Sequence, residues 1–559
     1  MLHETSGGSN TGRKSGKNHR TVEKSSMETD QIDLSELIEA LSDPAAYSES
    51  VDDVDVRQTH ISVVFLTGNQ AYKIKKPVDF GFVDYNTLEK REHYCREEVR
   101  LNRRLAPEVY LGVVPVVEAD DGLQFGGDGE PLEWAVKMRR LPDDHTLESR
   151  VEGGEVGVAL VREIARRVAD FHADAQGGPE VAEYAAFEHV AENARDNFRQ
   201  SREQVGRTVH RKVFQRLEEL DDRVLQESKP LIESRANRGV ARDTHGDLRL
   251  EHVYLFPERD APRDVVIVDC IEFNEAFRYA DPVADMAFLT MDFEYVGRHD
   301  LAEAFVDEYV RRSGDSEGAE LVDFYVAYRA AVRAKVEGLK AIEEEVPPED
   351  RRTAREKARA HWLLALGRLE SPGNRPALVL VSGLPGTGKS TLAEGLAGEA
   401  NFDVVDSDVV RKELAGLDRH ADASESFEAG IYTSAWSDRT YAECRRRAEN
   451  RLFEGGRVIV DATFYREDRR VAFVEMARSF GVPALIVECR LREETVSERL
   501  AAREHDVSDA DQSVYENIKG KWEAYGAETS RLVETVSTEG DVASSVEGAL
   551  DVLRESELY

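Results

Sequence analysis

Residues 377–391 read ALVLVSGLPGTGKST. The apolar run Ala377 to Val381 predicts a buried parallel strand, which breaks into Gly383-Leu384-Pro385-Gly386-Thr387-Gly388-Lys389-Ser390 just before a helical pattern over 391–400, opened by Thr391. That is a phosphate cradle in its expected strand–loop–helix context. Glycines let successive backbone N–H groups turn toward the β- and γ-phosphates, and the helix N-terminus adds its dipole. Lys389 reaches the same oxygens, and the Ser390 hydroxyl can sit on Mg²⁺. ATP and Mg²⁺ are the cofactors implied. Because such a loop follows the first strand of its domain, roughly 370 residues before it need a separate account.

Composition sets the outer bounds. At 559 residues the chain exceeds what one core usually holds, so two or three domains are expected. Lys and Arg number 74 against 110 Asp and Glu, for a formal charge of −36, and the acid is spread along the chain. Such self-repulsion argues against nucleic-acid or anionic-membrane partners. The basic residues are mostly Arg, which together with the excess acid resembles a salt-adapted (halophile-like) cytoplasmic protein. Cys95, Cys270, Cys444 and Cys489 are scattered without metal-binding spacing and read as reduced, mostly buried thiols. Residues 1–30 carry Lys, Arg and His among Ser, Gly and Asn, have no apolar signal-peptide core and read as a disordered tail. No stretch approaches the roughly 18 apolar residues of a membrane span, so a soluble cytoplasmic protein is expected.

A short amphipathic helix is expected over 33–41, ended by Ser42-Asp43-Pro44. Residues 54–66 and 71–75 then form a hairpin pattern split by Thr67-Gly68-Asn69-Gln70. Lys73 and Lys75 project from one face of its second strand, either solvated or, for one of them, holding ATP phosphates. The pattern over 85–105 is helical, with Tyr94, Glu98, Leu101 and Leu105 on one face. Glu98 on an apolar stripe wants a cation: a strand lysine, or alternatively Arg100 or Arg104. Residues 134–141 predict a strand whose end forms a hinge between lobes. Helical patterns run from 155 to 235, with Val161, Ile164, Val168 and Phe171 as core positions.

The chemistry-bearing signal returns at 244–256, THGDLRLEHVYLF, and at 265–273, VVIVDCIEF, a strand pattern ending in an acid. Asp247 in a His-Gly-Asp turn and Asp269 after an apolar strand can serve as base and metal ligand for phosphoryl transfer. Residues 54–291 resemble the aminoglycoside phosphotransferase-like branch of the protein-kinase-like fold, which phosphorylates small-molecule hydroxyls with ATP and Mg²⁺. The resemblance implies that Lys75 or Lys73 binds the α/β-phosphates, that Glu98 braces it, that Asp247 is the catalytic base and that Asp269 binds metal. It makes Asp281 and Asp285 structural braces at a helix start. The family pattern HGDxxxxN departs here, because His252 stands where the metal-binding Asn would be. Imidazole is a poor Mg²⁺ ligand beside an amide oxygen. Either one metal site is weakened, or His252 contacts phosphate, or the domain is catalytically reduced. Glu272 is a candidate replacement ligand or a surface acid. Residues 327–369 are helical and charged, reading as a solvated connector with a hinge at 371–374.

In the C-terminal part, residues 402–414 predict a strand followed by a helix capped by Ser407-Asp408, with Arg411 one turn along. Asp408 is either an N-cap or a base beside the phosphate loop. Residues 456–463 supply another parallel strand, with Asp461 in the position of an acid that orients Mg²⁺ through water. After a strand at 484–489, Arg499 and Arg503 share a helix face over 493–503, either as a lid on the transferring phosphoryl group or as a solvated face. Alternating strands and helices give an open parallel sheet with ligands at the strand C-termini. The combination of GLPGTGKS, Ser407-Asp408-x-x-Arg411 and Asp461-Ala-Thr resembles the small P-loop kinases grouped with gluconate kinase, chloramphenicol phosphotransferase and the kinase half of polynucleotide kinase. In that family the aspartate matching Asp408 activates the acceptor hydroxyl, and the arginine matching Arg411 holds the substrate.

The expected architecture is an α+β protein-kinase-like, bilobal N-terminal domain joined to an α/β P-loop NTPase domain with a parallel sheet. Its parts are a tail (1–30), a kinase-like domain (31–340), a helical connector (341–374) and a P-loop kinase domain (375–559). The expected activity is ATP- and Mg²⁺-dependent phosphotransfer at two sites, onto a small hydroxylated acceptor such as a sugar, an aminoglycoside or a nucleoside-like molecule. The alternatives are a regulatory ATP-binding protein whose N-terminal domain binds a ligand without turnover, and a polynucleotide 5′-hydroxyl kinase.

Overall fold

Alternation along residues 62–75 builds the first layer. Val63, Phe65, Tyr72 and Ile74 are buried together with Leu37 and Leu41 of the helix Leu34–Leu41. Lys73 and Lys75, of opposite parity, project from the other face. The computed structural model describes residues 33–120, 122–418, 431, 433–501 and 512–559, so the tail over 1–30 and Arg503 fall outside the described residues.

Six antiparallel strands, β1 (Asp55–Gln58), β2 (Ser62–Leu66), β3 (Gln70–Lys75), β4 (Tyr110–Ala119), β5 (Gly122–Phe125) and β6 (Glu133–Arg139), lie in the order β1-β2-β3-β6-β4-β5. The single strand expected over 54–66 is two strands. Between them Thr59 Oγ1 accepts the N–H groups of Ile61 and Ser62 at 3.3 and 3.0 Å and turns the chain. The helix Leu88–Asn102 starts later than expected because Thr87 is its N-cap, accepting from Lys90 N, and it packs across β6 and β4.

Past Arg140-Leu141-Pro142 the chain becomes largely helical, with long helices at Val158–Asp174, Arg211–Asn237, Pro282–Tyr295 and Val322–Lys340. Two small antiparallel pairs interrupt them. β7 (Arg242–Asp243) pairs with β10 (Tyr279–Ala280), and β8 (Val253–Leu255) pairs with β9 (Val265–Ile267).

The helix Pro348–Leu369 corrects the expectation of a solvated connector. Its charges crowd the first half, whereas Trp362, Leu363, Leu364, Ala365 and Leu366 are all buried. A run that is apolar all round has no solvent face, and here it packs against the helices Val322–Lys340 and Glu467–Ser479.

The second sheet has five parallel strands in the order β12-β13-β11-β14-β15: β11 (Ala377–Ser382), β12 (Asp403–Asp406), β13 (Arg457–Asp461), β14 (Ala484–Arg490) and β15 (Val533–Ser537). The last of these carries no signal in the sequence reading. Ala377, Val379 and Val381 pack with Leu392 and Leu396 of the helix Lys389–Ala400 and with Ala549 and Leu553 of the helix Val542–Glu555. Leu378 and Leu380 face the opposite way, into a core that continues through Trp362 to Val161 and Ile164. Coverage on both faces explains why β11 is an unbroken apolar run. All four cysteines are buried and free. Among the described residues, no helix is long and apolar enough to cross a membrane.

Candidate functional site

Two groups of polar side chains converge at strand ends. The first lies between the antiparallel sheet and the helical region. Lys73 Nζ donates to Glu98 Oε1 and to Asp269 Oδ1, both at 2.9 Å. Lys75, one pleat along, is fully buried and pairs with Glu98 Oε2 at 2.8 Å and with Glu272, while the Tyr85 hydroxyl donates to Glu272 at 2.8 Å. Glu98 therefore bridges both lysines, and the alternative partners are occupied elsewhere. Arg100 holds Glu97, and Arg104 donates to the carbonyls of Asp243 and Thr244. Burial opposes charge on Lys73, but the carboxylates of Asp269 and Glu98 override it and hold the ammonium well above its usual range. Burial likewise opposes charge on Glu98, and the two lysines keep it ionised. Glu272 is a correction: it is neither a surface acid nor turned toward a metal site, because it serves as the buried counter-ion of Lys75.

Asp269 has φ of 64°, a left-handed conformation unusual for a residue with a side chain. Its N–H donates to the Tyr110 hydroxyl at 3.2 Å, and the next residue, Cys270, donates its N–H to Asn102 Oδ1 at 2.9 Å. Those bonds tie the chain after β9 to β4 and to the end of the Glu98 helix. Strain of order 1–3 kcal/mol held in place this way is characteristic of functional positions. Lys73, beside Asp269, holds the aspartate below the ordinary carboxylate range.

The His245-Gly246-Asp247 turn is braced from beneath. Asp285 accepts the N–H groups of His245 and Gly246 at 3.0 and 2.8 Å, and its carboxylate also meets His172 Nε2 at 3.0 Å. Asp281 caps its helix through Val283 N and takes a bidentate bond from Arg235 at 2.7 and 2.9 Å. Both aspartates are braces, as expected. Gly246, at φ of 85°, is required because a Cβ there would lie 3.0 Å from the Phe277 carbonyl. Burial pushes His245 down to about 4, so it is neutral, with Nε2 at 2.9 Å from the Val268 carbonyl. The carboxylate of Asp247 is partly exposed. His252 Nδ1 is 2.8 Å from the Asp247 carbonyl, leaving Nε2 3.7 Å from Asp269 Oδ2. The imidazole thus sits between the two aspartates, its Nδ1 already engaged.

The second group surrounds the phosphate loop. The parallel register sets Val381 beside Asp461 and Asp461 beside Asp406, so both acids end their strands next to the loop. Gly383, Gly386 and Gly388 all have positive φ, and a Cβ at Gly383 would lie 2.8 Å from the Cys489 carbonyl. Lys389 Nζ and Thr387 Oγ1 both donate to the Leu384 carbonyl, at 3.0 and 2.7 Å. Thr538 Oγ1 donates to the Thr387 carbonyl at 2.7 Å, and Arg499 donates to the Thr538 carbonyl at 2.9 Å. Arg499 consequently lies against the loop and is not on a solvated face. Burial pushes the Asp461 carboxyl up to about 7, with Asp406 and Asp408 adding to the shift against the attraction of Lys389 and the nearby Ser390 hydroxyl.

The cap assignment needs correction. Asp406, not Ser407-Asp408, is the N-cap of the helix Ser407–Leu414, its Oδ1 accepting Asp408 N at 2.7 Å and Val409 N at 3.1 Å. Asp408 pairs instead with Arg411, one helical turn on, at 2.5 Å. Strand ends blur within a residue or two in sequence, and Asp-Ser-Asp offers three capping residues.

An exposed aromatic ridge was not anticipated. Phe80, Phe82 and Phe277 are 50, 47 and 43% exposed, and the Phe82 ring lies 6.0 Å from Phe80 and 6.3 Å from Phe277. The Phe277 carbonyl abuts Gly246, so the ridge flanks the Asp247 turn. The Phe-Gly-Phe of residues 80–82 is the one sequence signal that marks it.

Hard oxygen donors suit Mg²⁺ at both places: Asp461 and Ser390 at the loop, and Asp269 and Asp247 at the first group. Among the described residues no cluster of three or more His, Cys, Asp or Glu is arranged to hold a metal alone.

Residues 378–524 match the family model of the AAA domain. With the parallel sheet and the glycine-lined cradle, this makes the C-terminal region a P-loop NTPase-like domain. The chain is 35% identical over 457 residues, 82% of its length and 88% of theirs, to uncharacterized proteins of Mycobacterium tuberculosis and Mycobacterium bovis, and it belongs to their family. Similar solved structures include a sugar kinase from Janibacter (16% identity, TM-score 0.27, 32% of this chain and 95% of that one). A gluconokinase from Sinorhizobium meliloti (19%, TM-score 0.25, 33% and 94%) is another. At such scores these likenesses carry no argument about this chain.

Proposed function

We propose that the chain is an ATP- and Mg²⁺-dependent phosphotransferase with two phosphoryl-transfer sites, acting on small hydroxylated molecules. The observation that carries the two-site reading is the Lys73 ammonium held between Glu98 and Asp269. A strand lysine braced by a helix glutamate beside a strand-end aspartate is the set of parts that phosphoryl transfer requires, and the C-terminal phosphate loop is a second, unrelated set.

In the N-terminal, bilobal kinase-like domain, Lys73 contacts the α/β-phosphates and Glu98 keeps it extended. Asp247 accepts the proton of the acceptor hydroxyl at its carboxylate. Mg²⁺, when bound at Asp269, neutralises charge on the phosphates. Lys75 is assigned to the support of Glu98, which leaves Lys73 as the phosphate ligand. The aromatic ridge beside Asp247 favours a ring-bearing acceptor, such as a sugar, an aminoglycoside or a nucleoside. In the C-terminal domain, backbone N–H groups of Gly383 to Thr391 and the Lys389 ammonium hold the phosphates. Asp408 takes the proton of its own acceptor, Arg411 holds that acceptor, and Arg499 stabilises the transferring group. Both sites act by position and charge, so no covalent intermediate is required.

The test is ATP consumption by the full chain, with a panel of sugars, aminoglycosides and nucleosides, for wild type, Asp247→Ala and Lys389→Ala. Each variant is expected to lose turnover of a different acceptor by at least a hundredfold. If neither variant lowers turnover, the two-site reading falls. A second reading follows from His252 standing between Asp247 and Asp269: the N-terminal domain binds a ligand without turnover and the P-loop domain alone is catalytic. Under that reading only Lys389→Ala affects turnover.

A further inference from the structure

A pocket of about 930 Å³ has none of the proposed catalytic or phosphate-binding side chains in its lining, and touches the first group only through Arg104, which donates to the Thr244 carbonyl. It opens mainly where five segments meet: the turn after the Glu98 helix (Arg104 to Val109), the end of β6 and the residues after it (Arg139 to Pro142), the helix Val158–Asp174, the segment from Phe256 to Val266, and the helix His299–Ser313, which supplies Arg312. In a chain of formal charge −36, the lining holds eight arginines against four carboxylates.

The partners of these arginines decide what the pocket can hold. Arg166, Arg167 and Arg312 are matched, by Glu308 at 2.8 Å, Asp264 at 2.9 Å and Asp170 at 2.7 Å, and Arg104 more loosely by Asp243 at 3.6 Å, so part of the answering charge lies outside the lining. Arg263 is answered only loosely, with Glu108 at 3.8 Å, and Arg259 likewise, with Glu258 at 3.4 Å. Arg139 and Arg140 donate to the carbonyls of Glu108 and Thr67, at 2.9 and 3.0 Å, and among the described residues neither has a carboxylate within ion-pair distance. The guanidinium of Arg259 lies 3.6 Å from the Phe256 ring centroid, a cation–π contact with an apolar wall. Guanidinium forks fixed in place without carboxylates recognise phosphate oxygens, and the volume is that of a small-molecule site.

We propose that this pocket binds a small polyphosphate-bearing anion that bridges Arg139 and Arg140, on the sheet side of the hinge, to Arg259 and Arg263, on the helical side. Binding there neutralises a local excess of positive charge and fixes the hinge at Arg140-Leu141-Pro142. The proposal does not depend on either phosphotransfer site being active.

The test titrates sodium tripolyphosphate into the full chain carrying Lys389→Ala, so that the phosphate loop does not contribute, by calorimetry at two salt concentrations. Sodium sulfate at matched ionic strength is the non-specific control. One equivalent is expected to bind, at least tenfold more weakly when Arg140→Ala and Arg263→Ala are added, and to slow amide exchange over residues 139–141. The site is overturned if nothing saturable binds, if sulfate displaces the probe at equal ionic strength, if the pocket substitutions leave affinity unchanged, or if exchange at the hinge does not slow. Should the combined variant fail to fold, Arg263→Glu alone serves the same comparison, since that side chain is 56% exposed.

Discussion

Lys73 and Lys75 share one face of β3 and one partner, Glu98, but their surroundings separate them. Lys75 has no exposed surface, whereas 16% of the Lys73 side chain remains accessible beside Asp269. Removing Lys75 leaves Glu272 buried without its counter-ion and Glu98 with Lys73 alone, a loss of about 3–5 kcal/mol for a broken buried pair. Lys75→Ala is therefore expected to fail mainly in urea unfolding. Lys73→Ala, on the proposed mechanism, keeps the fold within about 1 kcal/mol and loses N-terminal turnover at least a hundredfold, because Lys75 still answers Glu98. Paired measurement of unfolding midpoint and ATP consumption checks both. Spacing alone put the two lysines on one face. Which of them stays accessible depends on Glu272, whose contact with Lys75 spans 197 residues and which no local pattern reports.

The helix Ser407–Leu414 shows the same division at the level of an element. Its existence and its burden of Asp408 and Arg411 were legible, as was the strand before it, because strand and helix periods differ. The capping residue was not, since a shift of one or two residues in the helix start exchanges the roles of Asp406 and Asp408. The geometry makes Asp406 a positioning residue, holding two N–H groups of the first turn. Asp406→Ala is expected to cost about 1 kcal/mol, with Asp406→Asn restoring most of it because an amide oxygen also caps. The measurement is urea unfolding, run alongside acceptor KM and kcat. A cap that orients Asp408 lowers kcat in the alanine variant and recovers it in the asparagine variant. Strand β15 went unread because its residues are mostly exposed, with only Val536 deeply buried, so neither alternation nor an apolar run marked it.

Across the whole molecule one core runs from Val161 through Trp362 to Val458 and Ile486, joining the helical region to one face of the parallel sheet. A cut at residue 371 would expose the apolar half of the helix Pro348–Leu369 in one fragment and the underside of the sheet in the other. Residues 31–370 and 371–559, made separately, are expected to aggregate or to unfold at lower urea than the intact chain, which should melt in one transition. Differential scanning calorimetry of all three distinguishes this from two independent domains. The junction also predicts a pH dependence. His361, stacked on Tyr295 at 4.3 Å, is pushed down to about 3 by burial and by nearby Arg333. In the unfolded chain it takes its proton near 6.5, so as pH falls through 6.5 toward 3 the unfolded state binds the proton first and stability drops. His361→Phe keeps the stack and removes the titration, and its urea midpoint should fall less steeply between pH 6.5 and 4 than that of wild type.

The sequence by itself determined whatever is written in contiguous residues. The phosphate loop from Gly383 to Ser390, the strand before it and the alternation that sets Lys73 opposite Ile74 are local, because backbone φ/ψ limits and side-chain period act over a few positions. Only the tertiary structure decided what depends on distant partners. Lys73 meets Asp269 across 196 residues. The charged helix that looked like a solvated connector is the shared core of two halves, because burial is a property of what lies opposite. The arginine pocket after β6 arises the same way, from segments distant in the chain, since only folding brings their cations together.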